Sequence, residues 1–81
     1  MSHTIEELIN DGGYPVYAIP DMDIIVTWSG SEEQSTFLYW RLLEDGKWDN
    51  YNLFTCFGVK NITQAEAIAK HEAEEHIKEE E

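Results

Sequence analysis

Residues 36–55 read TFLYWRLLEDGKWDNYNLFT, and this stretch decides the fold of the chain. Two alternating runs flank Asp45-Gly46, a dipeptide that indicates a β-hairpin because a type I′ turn needs positive φ at both central residues. A two-residue loop there predicts the following cross-strand pairs: Glu44 with Lys47, Leu42 with Asp49, Trp40 with Tyr51, and Leu38 with Leu53. Directly opposed side chains share one face of a sheet. We therefore expect the face that holds the Trp40 and Leu38 pairs to be core.

Two further segments have the composition of strands. Residues 14–19 are bounded by Pro15 and Pro20. Because proline cannot donate a hydrogen bond to a β-ladder, this segment is expected to be an edge strand or an irregular arm. Residues 24–28, IIVTW, are β-branched or aromatic and predict a strand. The polar residues 20–23 and 29–33 are expected to form the connections on either side.

The sequence predicts two helices, one near each end. The segments 4–7 (TIEE) and 63–66 (TQAE) both fit the capping box, in which a threonine hydroxyl and a glutamate three residues later satisfy free backbone N–H groups. The first helix is expected at residues 4–11, where glycines end it. The second is expected at residues 63–79. Its apolar positions form a narrow stripe at helical spacing: Ala65, Ile68, Ala69, Ala73 and Ile77.

These elements predict a single α+β domain over residues 1–81. Its architecture is a two-layer sandwich, with a three- to four-stranded antiparallel sheet, a long C-terminal helix on one face and a short N-terminal helix. The long helix is expected to cover the sheet face made by Leu38, Trp40, Leu42, Tyr51 and Leu53. The other face is mixed and includes Phe37, Tyr39, Trp48 and Phe54. It is expected either to lie under the first helix or to form a partner or dimer surface.

The charge balance is strongly acidic. The chain has 17 Asp and Glu against five Lys and Arg, a net charge of −12, and residues 1–40 contain no Lys or Arg. Direct binding to nucleic acid or to an anionic membrane is disfavoured, because phosphate binding depends on Lys and Arg. A basic partner is the natural complement of this field. The alternative is that the acidity only keeps a small protein in solution.

Neither catalysis nor cofactor binding is indicated. The chain has one cysteine, Cys56, which excludes an internal disulfide, fits a reducing compartment and is expected to be inert packing in a strand. His71 and His76 are five residues apart and point in different directions on a helix, so we expect no metal site and read their i,i+4 carboxylate neighbours as surface pairing. No apolar run approaches the roughly 18–20 residues of a membrane span. We expect a cytoplasmic protein without enzymatic activity or cofactors.

The acids most suited to contact a partner follow from the predicted strand directions. Antiparallel neighbours place Asp21 and Asp23 at the same end of the sheet as Glu44 and Asp45. A helix of eighteen residues, about 27 Å long, is expected to run back along the sheet and bring its own acids to that end. The predicted partner-binding residues are Asp21, Asp23, Glu32, Glu33, Glu44, Asp45, Glu74 and Glu75.

The chain resembles small, acidic, phage-encoded inhibitor proteins, including anti-CRISPR proteins and DNA mimics. The resemblance lies in its length, its acidic excess, the capped Thr63 helix with its Glu-rich tail, and the sheet from Ile24 to Phe57. It implies an inhibitor, monomeric or homodimeric, that occupies the basic nucleic-acid channel of a host defence complex such as a CRISPR effector. The alternative function is a protein-interaction or homodimerisation module that uses the Phe37, Tyr39, Trp48 and Phe54 face.

Overall fold

The computed structural model describes residues 2–3 and 13–80. This part of the chain is an antiparallel sheet with one helix packed on one of its faces, which confirms the predicted α+β two-layer sandwich. The sheet order is β1-β5-β4-β3-β2. The elements are β1 (Ser2–His3), β2 (Tyr14–Ile19), β3 (Ile24–Gly30), β4 (Ser35–Leu42), β5 (Trp48–Cys56) and the helix α1 (Ile62–Glu80). The predicted helix at residues 4–11 lies outside the described residues.

The two edges of the sheet are formed by strands of different length, six residues in β2 and two in β1. Strand β2 is at one edge, as its prolines predict, and a register shift between Pro15 and Tyr17 interrupts its pairing with β3. The two residues of β1 pair with the first residues of β5 at the other side. Within the described part of the chain, no helix is long and apolar enough to cross a membrane.

The central hairpin between β4 and β5 forms, but its loop has three residues rather than two. The Gly46 N–H donates to the Leu43 carbonyl at 3.0 Å, and the Leu43 N–H donates to the Lys47 carbonyl at 2.8 Å. Gly46 has φ +82, whereas Asp45 is not among the described residues with positive φ, so the loop is not a type I′ turn. Instead, Gly46 is the last residue of a four-residue turn and has the left-handed conformation, which is a common form of a three-residue hairpin loop. The predicted pairing of Glu44 with Lys47 is therefore wrong.

The longer loop shifts the register near the turn, and a bulge restores it farther along. Leu42 pairs with Trp48 and Trp40 pairs with Asn50, one position from the prediction. The register then shifts between Tyr39 and Trp40, which leaves Tyr51 as an extra residue on β5. Beyond the bulge, Leu38 pairs with Leu53 as predicted.

The helix packs on the opposite sheet face from the predicted one. Phe37 and Tyr39 are 0% and 2% exposed and belong to the core with the alanines of α1, whereas Leu53 is 55% exposed. Trp40 is buried on the other face, where its indole Nε1 donates to the Thr27 hydroxyl at 2.8 Å. Of the residues expected under α1, only Tyr51 packs against this core, because the bulge turns it there.

The aromatic side chains of this face match the small side chains of the helix. The Phe37 and Phe54 rings stack with centroids 4.7 Å apart. Ala65, Ala69 and Ala73 of α1 are each 0% exposed, which confirms the predicted apolar stripe. Large rings fill the space that a helix face of alanines leaves, and the two layers reach the close packing typical of protein interiors. Phe37 and Tyr39 therefore cannot form the centre of an exposed partner or dimer surface, because they lie under α1. Trp48, paired with Leu42, lies on the other face.

The cap of α1 is two residues earlier than predicted. Asn61 Oδ1 accepts a hydrogen bond from the Gln64 N–H at 2.9 Å, and Gln64 Oε1 accepts one from the Lys60 N–H at 2.8 Å. Asn61 is thus the N-cap, and Gln64 takes the role expected of Glu66. Asparagine is among the strongest N-cap residues, so a cap at Asn61 satisfies the first free N–H groups before Thr63 is reached.

Replacement of Asn61 by alanine is expected to lower the free energy of unfolding by about 1 kcal/mol, because the Gln64 N–H loses its acceptor. Urea denaturation followed by circular dichroism measures the change. Thr63→Ala is the matched control and should leave stability within about 0.5 kcal/mol, since Thr63 is exposed and lies inside the helix. A larger loss of unfolding free energy for Thr63→Ala than for Asn61→Ala would contradict this assignment and show that Thr63 is the N-cap.

Candidate partner-binding surface

Four of the predicted partner-binding acids meet at one end of the sheet. The Asp23 carbonyl accepts a hydrogen bond from the Leu42 N–H at 3.0 Å, so the β2–β3 connection lies beside the end of β4. The β4–β5 loop begins at the same place. We call the exposed acidic residues of these two connections the acidic end. Its members are Asp21, Asp23, Glu44 and Asp45. Here the sequence-based placement is confirmed.

Glu32 and Glu33 lie at the opposite end of the sheet, in the turn from β3 to β4. The Ser31 N–H donates to the Gln34 carbonyl at 3.0 Å, and the Glu32 carbonyl accepts from the Gly58 N–H at 2.8 Å. Both side chains are exposed. The eight residues of β4, at about 3.4 Å each, separate this turn from the acidic end by roughly 27 Å. A small contact cannot include both ends.

Glu74 and Glu75 lie on α1, and the structure does not bring Glu75 to the acidic end. The helix packs on β2 and β3 and reaches β5 through His76, so it crosses the sheet rather than following one strand. Glu75 consequently lies beside Asn52 and Leu53, in the middle of β5. The expected single negative pole is thus divided, with four acids at one end of the sheet and Glu75 beside the middle of β5.

The candidate acids have few cations near them. Glu75 Oε1 lies 3.7 Å from Lys78 Nζ, and both side chains are more than half exposed. Among the residues that the structure describes, the other seven candidate acids have no cationic side chain within 4.0 Å. An exposed ion pair such as Glu75–Lys78 contributes at most about 1 kcal/mol. Most of this negative charge is therefore available to a basic molecule.

A small polar cleft lies where α1 meets β5. It has a volume of about 150 Å³ and is lined by Tyr39, Asn52, Leu53, Phe54, Glu72, Glu75 and His76. We call it the seam cleft. No local sequence pattern predicts this cleft, because its residues come from three elements and the helix was expected on the other sheet face.

His76 anchors the helix at the seam cleft. Its Nε2 shares a hydrogen bond with the Tyr51 hydroxyl at 3.1 Å, and its ring packs on Tyr39 with centroids 5.0 Å apart. The Arg41 guanidinium lies over the other aromatic neighbour, 4.9 Å from the centroid of the Tyr51 ring. The interpretation of His76 as part of an exposed surface pair is wrong, because this histidine is half-buried in an aromatic cluster.

Burial raises the pKa of two potential nucleophiles near this cleft, the Tyr39 hydroxyl and the Cys56 thiol. Desolvation, with a smaller contribution from the Glu72 carboxylate, raises the pKa of Tyr39 to about 12. The same two causes raise the pKa of the Cys56 thiol. Both groups are therefore protonated and poorly nucleophilic at neutral pH. Cys56 is partly buried against the core, as its assignment to strand packing predicts.

Within the described ranges, no three side chains of His, Cys, Asp or Glu converge as metal ligands do. Comparisons of the chain with protein-family models, with curated proteins and with solved structures give no match. The function is therefore inferred from the charge and shape of the surface.

Proposed function

We propose that this chain is a non-enzymatic inhibitor that binds the basic nucleic-acid-binding surface of a partner protein. In its specific form, the proposal is a phage-encoded, anti-CRISPR-like protein that acts in the host cytoplasm and blocks DNA binding by a CRISPR effector complex. The observation that carries it is the large excess of exposed carboxylates, among which seven of the eight candidate acids have no cationic group within 4.0 Å in the described part of the chain.

The arrangement of the acids supports competition with nucleic acid. The acidic end presents four carboxylates on two adjacent connections, held by the Leu42–Asp23 backbone hydrogen bond. A surface that binds successive phosphates uses Lys and Arg, and these also attract a fixed group of carboxylates. Because the connections are tied to a sheet, the charges are held in place before binding, which reduces the entropy lost on association. We assign the main contact to the acidic end.

A pull-down from bacterial lysate tests this proposal. The purified protein is immobilised, and bound material is eluted with a salt step in one sample and with competing duplex DNA in another. We expect recovery of a nucleic-acid-binding protein or complex that both treatments release, because both remove the electrostatic attraction. Retention of a partner through both treatments, or no capture at all, would contradict the inhibitor proposal and leave the acidity as an aid to solubility.

A further inference from the structure

We infer that the seam cleft receives the guanidinium group of a single arginine side chain. In assigning that arginine to a basic partner, the inference rests on the proposed function. It identifies a second contact, on the β5 side of the molecule and separate from the acidic end. The cleft is a concave site with fixed walls, whereas the acidic end is made of two exposed connections.

The carboxylates of the cleft come from adjacent turns of α1. Glu72 and Glu75 are three residues apart, so both project from the same side of the helix toward β5. Glu75 has only the exposed Lys78 as an ion-pair partner among the described residues, and Glu72 has none. Two carboxylates at one rim of a cleft offer acceptors in a geometry that a planar, five-donor guanidinium can use.

Tyr39 provides independent support for a ligand at this position. Its side chain is 2% exposed and lines the cleft, yet no group in the described part of the chain forms a hydrogen bond with its hydroxyl. Within the described residues the Trp28 indole N–H is the one fully buried side-chain polar group without a partner, so the Tyr39 hydroxyl is accessible from the cleft. A guanidinium in the cleft would donate to this oxygen. The raised pKa of Tyr39 means that the hydroxyl meets the ligand in its neutral form.

The walls of the cleft favour arginine over lysine. Tyr39 and Phe54 line it and pack edge to face with centroids 5.8 Å apart. Tyr39 is 2% exposed and Phe54 is half-buried, so Phe54 provides the accessible aromatic surface of the cleft. Guanidinium groups stack on aromatic rings and are more weakly hydrated than ammonium groups, which lowers the cost of entering a small cleft. A strongly hydrated lysine ammonium would lose more water on entering a volume of about 150 Å³.

Nuclear magnetic resonance with a small probe tests the assignment directly. The full ¹⁵N-labelled chain is titrated with N-acetyl-L-arginine amide at constant ionic strength, and parallel titrations use N-acetyl-L-lysine amide and neutral N-acetylglycinamide. We expect saturable shifts confined to amides around the cleft, larger affinity for the arginine probe than for the lysine probe, and no shifts with the neutral probe. Shifts spread equally over the acidic end, or equal affinity for both cations, would overturn the assignment.

Matched variants separate the cleft from general acidity. Glu72→Gln is expected to weaken arginine-amide binding about threefold to tenfold, because it removes one charged acceptor. Glu66→Gln removes the same charge from an exposed position of α1 outside the cleft and should change the affinity less than about twofold. Tyr39→Phe keeps the ring and should also weaken binding. Equal effects of Glu72→Gln and Glu66→Gln would contradict the inference, and the spectra report whether each variant is folded.

The two proposals fail in distinguishable ways. If arginine amide binds the cleft but the lysate yields no partner that DNA displaces, the inhibitor function is wrong and the arginine site stands. If a partner is captured and DNA displaces it, while arginine amide does not bind, the seam-cleft assignment alone is wrong.

Discussion

Replacement of Phe37 by alanine is expected to lower the free energy of unfolding by about 3–5 kcal/mol, the usual range for a fully buried phenylalanine. Phe37 is 0% exposed, stacks on Phe54 and lies in the core cluster with the alanines of α1. An alanine side chain would leave a cavity beneath Ala65, Ala69 and Ala73 of α1, whose methyl groups are too short to fill it. Urea denaturation at 25 °C, followed by tryptophan fluorescence, measures the loss.

Leu53→Ala is the control that distinguishes the two faces of the sheet. Leu53 is 55% exposed, and its truncation should cost less than about 1 kcal/mol. Because a domain of this size has a small stability reserve, Phe37→Leu provides a second variant with a smaller expected loss of about 1 kcal/mol or more. A larger loss for Leu53→Ala than for either Phe37 variant would mean that α1 covers the other face.

Local sequence patterns were sufficient to predict strands β2 to β5 and the helix α1, but not the face of the sheet that carries this helix. Both faces of β4 are apolar, with Phe37 and Tyr39 on one and Leu38 and Trp40 on the other, so alternation alone cannot decide between them. The neighbouring strand holds the missing signal. One face of β3 contains Ile24, Val26 and Trp28, whereas the other contains Ile25 and the polar residues Thr27 and Ser29. The register pairs Val26 with Tyr39, so the more apolar face of β3 is the one that α1 covers.

The register of the hairpin was only partly predictable for a related reason. Asp-Gly is compatible with a two-residue loop and with a three-residue loop in which only the glycine has positive φ. The chain takes the second form at Gly46, and a bulge at Tyr51 compensates for the extra loop residue. No local sequence pattern predicts this bulge. Its effect is to turn Tyr51 toward His76, so tertiary packing with α1 explains what strand alternation could not.

In the candidate site, likewise, the residues on neighbouring strands could be placed from the sequence, whereas the residues on the helix could not. Antiparallel pairing of neighbouring strands was enough to bring Asp21 and Asp23 beside Glu44 and Asp45. The position of Glu75 depends on how α1 crosses the sheet, and helix length alone did not give that direction. The seam cleft depends on the same crossing. Sites made by consecutive strands can therefore be read from this sequence, and sites made by the helix cannot.

The double variant Glu44→Gln/Asp45→Asn is expected to weaken binding to the partner recovered from lysate by about tenfold or more at low salt. It removes two adjacent charges from the acidic end, where the basic surface is proposed to dock. The loop itself should persist, because Asp45 Oδ1 accepts a hydrogen bond from the Lys47 N–H at 3.0 Å and an asparagine Oδ1 can do the same. Biolayer interferometry at several salt concentrations measures the affinity, and the difference from the unmodified protein should shrink as salt increases.

Glu32→Gln/Glu33→Gln provides a closely matched control, since it removes two adjacent charges from an exposed turn at the other end of β4. Net charge changes by the same amount in both double variants. The contact of the Glu32 carbonyl with Gly58 involves only backbone atoms and should be unaffected. If the acidic end makes the contact, this control should weaken binding less than about threefold, through the long-range field alone.

Equal losses of affinity in the two double variants would show that total charge, rather than the placement of Glu44 and Asp45 beside Asp23, determines binding. Unchanged affinity in both would remove the electrostatic basis of the inhibitor proposal.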